Sequence, residues 1–159
     1  MKGLKIRLIR DKDLQELANV YTKVYKNIDV GEKWTSRAAY KLLSYWFDRQ
    51  PDLAFVAEWD GKLVGAFVSA VKPWWDGNHL SDGELFVDPK YQQRNIGTEL
   101  SKKLYAKALK KYNVTRLDAF TFKLKKFPLS WYKSQGFEEV KEWAIISGNL
   151  RKIKKKINF

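Results

Sequence analysis

The stretch Val87–Leu100, VDPKYQQRNIGTEL, has the pattern of a strand that is followed at once by a helix. This strand-to-helix connection constrains the fold more than any other feature of the sequence. An apolar run ends at Val87, Asp88 and Pro89 close it, and an amphipathic run begins at Gly97. Polar residues fill the space between. The segment is therefore either an ordinary strand-to-helix turn or an anion site formed by backbone N–H groups at the start of a helix.

Length and composition favour one globular domain over residues 1–159, with a basic tail at 151–159. Apolar residues make up 45% of the chain, which is enough for a packed core. No apolar run approaches the roughly 18 residues of a membrane span, and Met1–Arg10 is alternating and charged rather than signal-like. The chain has no cysteine, so we expect a cytoplasmic protein without a membrane partner.

The charge balance is strongly basic, with 31 lysines and arginines against 18 acidic residues and a net charge of +13. This excess predicts weak polyanion binding through the basic surface, or only a lysine-rich solvated surface. Without cysteine, and with His79 as the single histidine, the chain has no thiolate or histidine-rich metal site, so no metal is predicted. The oligomeric state is left open between monomer and homodimer.

Periodicity predicts an α/β or α+β domain with a mixed, mostly antiparallel twisted sheet flanked by helices, in the order β-α-α-β-β-β-α-β-α-β-β. Asp11 or Asp13 caps the first helix, Thr35 or Ser36 the second, and Asp60-Gly61 closes a two-residue hairpin. The predicted strands are 5–9, 53–59, 62–71, 81–87 and 115–122, with one or two more in 137–150. Residues 72–80 are predicted to form a loop with two exposed tryptophans.

Three motifs in this order resemble the GNAT superfamily of acetyl-CoA-dependent N-acetyltransferases. Val87-Asp88-Pro89 is similar to the family's V-x-P strand end, Gln92–Gly97 to its Arg/Gln-x-x-Gly-x-Gly/Ala phosphate loop, and Trp131–Phe137 to its late Tyr-x-x-x-Gly-Phe pattern. Two positions depart from the family pattern. Asn95 replaces the first loop glycine, and asparagine is among the few residues that tolerate a positive φ. Lys125 replaces an asparagine seven residues before the tyrosine.

The resemblance implies acetyl-CoA as the donor and assigns residues to it. The backbone of Leu85, Phe86 and Val87 lines the acetyl-pantetheine arm, and the pyrophosphate lies on the loop and the helix start. The residues implied for the nucleotide end are Gln92, Gln93, Arg94, Asn95, Ile96, Gly97, Thr98, Lys125 and Lys133. Tyr132 falls on the family's general-acid tyrosine, whose alternative is a packing aromatic.

The proton acceptor and the amine site are less determined. Glu84 is our candidate general base, and its alternative is a solvated carboxylate at a strand end. Trp74, Trp75, Asp76, His79 and Asp82 lie close to Glu84 in sequence and are candidate contacts for a cationic amine. A cap on the sheet is the alternative for the tryptophans, and the first two helices near Trp34 and Trp46 are the alternative amine site.

The leading hypothesis is therefore an N-acetyltransferase that moves the acetyl group of acetyl-CoA directly to a primary amine, either a small cation or a protein amine. A non-catalytic acyl-CoA-binding sensor is one alternative. A basic module that binds nucleic acid or the ribosome is another, favoured by the net charge and by the tail at 151–159.

Overall fold

A computed structural model describes residues 3–157, and a five-stranded sheet in the order β1-β2-β3-β4-β5 organises the part of the chain up to Phe120. Every neighbouring pair is antiparallel except β4 and β5, which run parallel, so the predicted mixed sheet is confirmed. The strands are β1 (Leu4–Leu8), β2 (Ala54–Trp59), β3 (Lys62–Trp74), β4 (Gly77–Val87) and β5 (Val114–Asp118).

Helices pack on both faces of this sheet: α1 (Leu14–Ile28) and α2 (Ser36–Arg49) on one, α3 (Ile96–Tyr112) on the other. Side chains alternate along each strand, so Val56 and Phe86 join the core under α1 while Phe55 and Phe67 join the core under α3. Glu84 and Phe86 are two residues apart and therefore share the α1 face.

The start of α2 agrees with the sequence, but the start of α1 does not. The Thr35 hydroxyl accepts a hydrogen bond from the Ala38 N–H at 3.1 Å, which is an ordinary N-cap. A short 3-10 turn, Asp11–Asp13, precedes α1, and neither aspartate side chain caps that helix. Asp13 instead accepts from Arg10 N at 2.8 Å and pairs with Arg7, because a charged partner on β1 competes for its oxygens.

Asp60 and Gly61 have φ of +46° and +80°, which confirms the predicted tight hairpin between β2 and β3. The predicted loop at 72–80 was wrong. Trp74 is the last residue of β3 and Gly77 the first of β4, so the segment is the tip of a second, longer hairpin. Backbone pairing as far as Trp74↔Gly77 outweighs the turn signals in this stretch.

A β-bulge interrupts the β3–β4 ladder in the middle of β4. Val68 lies opposite Glu84 and Ala70 opposite Ser81, so Asp82 and Gly83 together face the single residue between them. Gly83 has φ of +96°, and a Cβ at this position would lie 2.2 Å from the Val68 carbonyl oxygen. Only glycine fits both the backbone angle and the close approach.

Residues from Thr121 onward form a second compact unit. Its helix α4 (Lys126–Ser134) contains an extended residue, Phe127, so the continuous helix begins at Pro128. The strands predicted in 137–150 were wrong, because the described chain is irregular up to Asn149. The basic tail then forms helix α5 (Leu150–Ile157), and residues 158 and 159 of that tail lie outside the described residues.

Gly83→Ala should lower the free energy of unfolding by about 2 kcal/mol or more, because the new methyl group meets the β3 backbone. Gly31→Ala is the matched control, since Gly31 also has a positive φ of +83° but nothing lies within 4 Å of its added Cβ. Urea unfolding of both variants gives the comparison. Equal losses would show that the close approach at Gly83 does not limit the fold.

Candidate active site

The parallel pairing of β4 with β5 covers only the first part of β4. It runs from Asn78↔Val114 to Ser81↔Asp118, whereas β4 continues to Val87. Asp88 N–H donates to the Val64 carbonyl at 2.8 Å, and N–H directions alternate along a strand. The N–H groups of Leu85 and Val87 therefore point away from β3, towards this unpaired edge of β4.

The unpaired edge leads into the segment before α3. The Gln92 amide donates to the Val87 carbonyl at 2.9 Å, which ties that segment back to the strand end. Pro89–Tyr91 form a 3-10 turn, and the Asp88 carboxylate accepts from Lys90 N at 3.0 Å. These hydrogen bonds fix the conformation of the chain between β4 and α3.

Two residues of this segment adopt left-handed backbone angles: Gln93 with φ of +60° and Asn95 with φ of +58°. The positive φ expected at Asn95 is therefore present. Alternating backbone angles of this kind turn successive N–H groups to one side, and the first N–H groups of α3 have no partner within the helix. Ile96 is 2% exposed and anchors the helix start in the core, while its N–H group belongs to this set.

The guanidinium of Arg94 lies over two aromatic rings. Its Cζ is 5.5 Å from the Trp59 ring centroid and 5.6 Å from that of Tyr91, within the range of cation–π attraction. Within residues 3–157 no carboxylate is ion-paired with Arg94. A positive charge is thus held beside the N–H groups without being neutralised.

Glu84 lies on the α1 face of the sheet, one residue before Leu85, whose N–H points to the edge of β4 that β5 does not reach. Its Oε2 accepts a hydrogen bond from the Tyr21 hydroxyl at 2.9 Å. Burial raises the pKa of the Glu84 carboxyl to about 7, and the nearby charges of Asp82 and Glu32 act in the same direction against the Tyr21 hydrogen bond. A carboxylate with this pKa can exchange a proton near neutral pH.

Aromatic rings surround Tyr21, the hydrogen-bond partner of Glu84. The Tyr21 ring packs edge-on against Trp34 at 5.2 Å and against Phe86 at 5.1 Å, and it stacks on Tyr25 at 4.5 Å. Burial raises the pKa of Tyr25 to about 12, so this phenol stays neutral at physiological pH. The indole N–H of Trp34 donates to Glu32 Oε2 at 2.6 Å. We call Tyr21, Tyr25, Glu32, Trp34, Asp82 and Glu84 the acidic-aromatic cluster.

The neighbouring hairpin residues are arranged differently. His79 is 3% exposed, and its two ring nitrogens contact Asp118 Oδ2 at 2.8 Å and Asp76 Oδ1 at 2.7 Å. Lys72 also pairs with Asp118, and Arg116 with Asp76. These carboxylates already have cationic or imidazole partners, and His79 is a buried strand residue rather than a loop residue.

The remaining predicted amine contacts separate in the structure. Trp74 is 39% and Trp75 86% exposed at the tip of the hairpin. Asp82 lies at the bulge, where its Oδ1 accepts from Phe120 N at 3.1 Å and burial raises its pKa. The structure therefore brings Asp82 together with Glu84 and leaves the tryptophans at the far end of β4.

Tyr132, Lys125 and Lys133 belong to the second unit. The Tyr132 ring packs against Trp131 at 5.1 Å and Phe137 at 5.2 Å. Lys125 precedes α4, and Lys133 is ion-paired with Glu139.

Sequence reasoning missed the α1 side of the cluster. Tyr21 and Tyr25 lie on the core-facing stripe of α1 and, like Glu32, were not singled out from the sequence. Two hydroxyl-bearing side chains four residues apart on that stripe were the available signal, since each hydroxyl needs a polar partner when it is buried. Asp-Gly at 82–83 was the corresponding signal for the bulge.

No helix in residues 3–157 is long and apolar enough to cross a membrane. Within the same residues no three His, Cys, Asp or Glu side chains are grouped to hold a metal ion.

Residues 14–151 match the model of the acetyltransferase (GNAT) family. An uncharacterized N-acetyltransferase of Methanocaldococcus jannaschii is 31% identical over 159 residues, 98% of this chain and 68% of that protein. A possible acetyltransferase from Clostridium difficile 630 has a TM-score of 0.75 at 17% identity, covering 93% of this chain and 98% of that one. The aminoglycoside N-acetyltransferase AAC(6')-Iy, solved with CoA, has a TM-score of 0.68 at 17% identity, covering 91% and 94% of the two chains.

The sheet with helices on both faces and these likenesses define an acyltransferase. Because the family model spans most of the sequence and the archaeal relative aligns along nearly all of it, the chain belongs to the GNAT family of acetyltransferases. The resemblance found in the sequence is confirmed.

Glu84 should make folding less stable as pH rises. Its carboxyl has an ordinary pKa of 4.5 and a folded-state pKa of about 7, so the folded chain binds the proton more readily than the unfolded chain between these values. Stability is therefore lost as pH rises from 4.5 to 7, by up to about 3 kcal/mol.

Urea unfolding at pH 5 and pH 8 measures this loss. Glu84→Gln should remove it, because glutamine does not titrate, whereas Glu16→Gln, at an exposed position on α1, should behave like the parent. A Glu84→Gln variant with the parent's pH dependence would show that Glu84 is not the titrating group.

Proposed function

We propose that the protein transfers the acetyl group of acetyl-CoA directly to a primary amine, with Glu84 as the general base. One observation carries this proposal: a carboxyl with a pKa of about 7 lies one residue from a strand edge whose N–H groups are not paired by the sheet. A base that titrates near neutral pH beside free N–H donors is what aminolysis of a thioester requires.

The segment before α3 supplies the donor site in this proposal. N–H groups of Gln93–Thr98 and the positive end of the helix dipole bind the pyrophosphate, and Arg94 adds a positive charge. Leu85, Phe86 and Val87 line the acetyl-pantetheine arm through their backbone, with the Leu85 N–H placed to polarise the thioester carbonyl. Gln92 shapes this site indirectly through its bond to Val87. Lys125 and Lys133 are proposed as further phosphate contacts.

The chemistry requires two proton movements. The amine nitrogen forms the new bond to the acetyl carbon, and its proton passes to Glu84 directly or through one water. The carbon–sulfur bond breaks, and we assign the proton that the thiolate receives to Tyr132. A phenol of pKa about 10 gives a proton to a thiolate of pKa about 8.5 with little driving force, so the tyrosine needs to be close to the sulfur.

The acceptor in this proposal is a primary amine, either a small cation or an amine of a protein. One structural neighbour is named as an aminoglycoside N-acetyltransferase, which supports the first class by analogy alone. The acidic-aromatic cluster supplies the complementary charge on this chain.

Thiol release from acetyl-CoA in the presence of an amine panel tests the function. The parent should release thiol with at least one amine, with kcat/KM rising with pH through about 7, and Glu84→Gln should lower kcat/KM about a hundredfold or more. Glu16→Gln is the control and should match the parent. A non-catalytic acyl-CoA sensor or a nucleic-acid-binding module would bind its ligand and release no thiol with any amine.

Gly97→Glu should abolish acetyl-CoA binding measured by calorimetry, because it places a negative charge at the second residue of α3 where the pyrophosphate would lie. An acidic residue in the first turn favours the helix itself, so the fold should survive. Lys103→Gln, which removes one positive charge from the exposed face of the same helix, should bind nearly as the parent does. Unchanged affinity of Gly97→Glu would place the donor site elsewhere.

A further inference from the structure

Asp82 and Glu84 differ from the other carboxylates that are shielded from solvent. Within residues 3–157, every other buried or half-buried aspartate or glutamate is ion-paired with a lysine, arginine or histidine. These paired carboxylates are Asp13, Asp52, Glu58, Asp88, Glu99 and Asp118. The chain has a net charge of +13, so cationic side chains are abundant, yet neither of these two shielded carboxylates is paired with one.

Aromatic rings next to these carboxylates offer a second, independent attraction for a cation. Trp34 packs against Tyr21 and, at 5.8 Å, against Tyr25. Its indole N–H is bound to Glu32, which fixes the orientation of the ring and places a third carboxylate at its edge. Ring faces and carboxylates together bind ammonium groups more strongly than either feature alone.

The number of charges then indicates the class of acceptor. In the proposed reaction the proton of the attacking nitrogen passes to Glu84, so one carboxylate of the cluster is used by the transferred proton. Asp82 accepts from the Phe120 N–H and Glu32 from the Trp34 indole N–H, so within residues 3–157 both would still lack a cationic partner. Both charges act on Glu84, and neighbouring like charges are unfavourable unless a cation lies between them. A monoamine cannot supply that cation once its nitrogen is neutral.

We propose that the acceptor is an amine with a second positive charge, and that Asp82, Glu32 and the Trp34 ring hold this second charge while the first nitrogen reacts at Glu84. This inference rests on the proposed function and adds the substrate class to it. Asp82 and Glu32 are specificity-determining residues in this arrangement, because they contact the charge that does not react.

The test compares kcat/KM for three amines, each assayed separately with acetyl-CoA and thiol detection. The amines are putrescine, n-butylamine and alanine amide. Putrescine should have a kcat/KM at least about tenfold above that of butylamine, which has the same carbon chain and lacks the second charge. The advantage should shrink as salt is raised, because it depends on charge.

Asp82→Asn and Glu32→Gln should each reduce the ratio of putrescine to butylamine kcat/KM several-fold, mainly through the KM for putrescine. Asp82→Asn keeps an oxygen for the Phe120 N–H, so the bulge should fold as in the parent. Glu16→Gln, on the exposed side of α1, is the control for a lost carboxylate outside the cluster and should leave the ratio as in the parent.

The outcomes separate the two proposals. Equal kcat/KM for putrescine and butylamine, or a preference for alanine amide, would overturn the inference and leave the acetyltransferase intact. Thiol release with none of the amines would overturn both. A putrescine advantage that Asp82→Asn and Glu32→Gln do not reduce would place the second charge elsewhere and so overturn the assignment.

Discussion

The end of the β4–β5 pairing at Ser81↔Asp118 is the constraint on which the candidate site depends. A continuous parallel ladder would use the N–H and C=O groups of Leu85 and Val87 within the sheet. Because β5 ends at Asp118 while β4 continues to Val87, the N–H groups of Leu85 and Val87 stay outside the ladder, and the Val87 carbonyl accepts from the Gln92 amide instead. The segment before α3 follows directly from the end of β4. The acidic-aromatic cluster lies on the α1 face of the same strand, at Glu84.

The bulge at Asp82 and Gly83 links this edge to the acidic-aromatic cluster. One extra residue in β4 changes the side-chain alternation, so Glu84 shares a face with Phe86 and α1 while Asp82 sits at the bulge itself. Both carboxylates follow Ser81, the last residue of β4 that pairs with β5, while Glu84 still pairs with Val68 of β3. Their desolvation, and hence the raised pKa of Glu84, follows from where the strand places them.

Much of the fold was predictable because its signals are local. Alternation, the Asp60-Gly61 turn and the Thr35 cap identified elements correctly, since each depends on a few neighbouring residues. The hairpin through 72–80 was missed because the local residues are typical of a loop, whereas the two strands are stabilised by pairing with each other. Asn95 was correctly read as a residue for positive φ. The hydrogen-bond partner of Glu84, Tyr21, lies 63 positions away in the sequence, so no local pattern reveals it.

His79 has a mechanical consequence for the opening beside β4. Its buried imidazole contacts Asp76 at the hairpin tip and Asp118 at the end of β5. These two contacts connect the hairpin tip and the start of β4 to the end of β5. Because this contact lies beside the last paired residues, Ser81 and Asp118, loosening His79 would shift the point at which the edge of β4 becomes free.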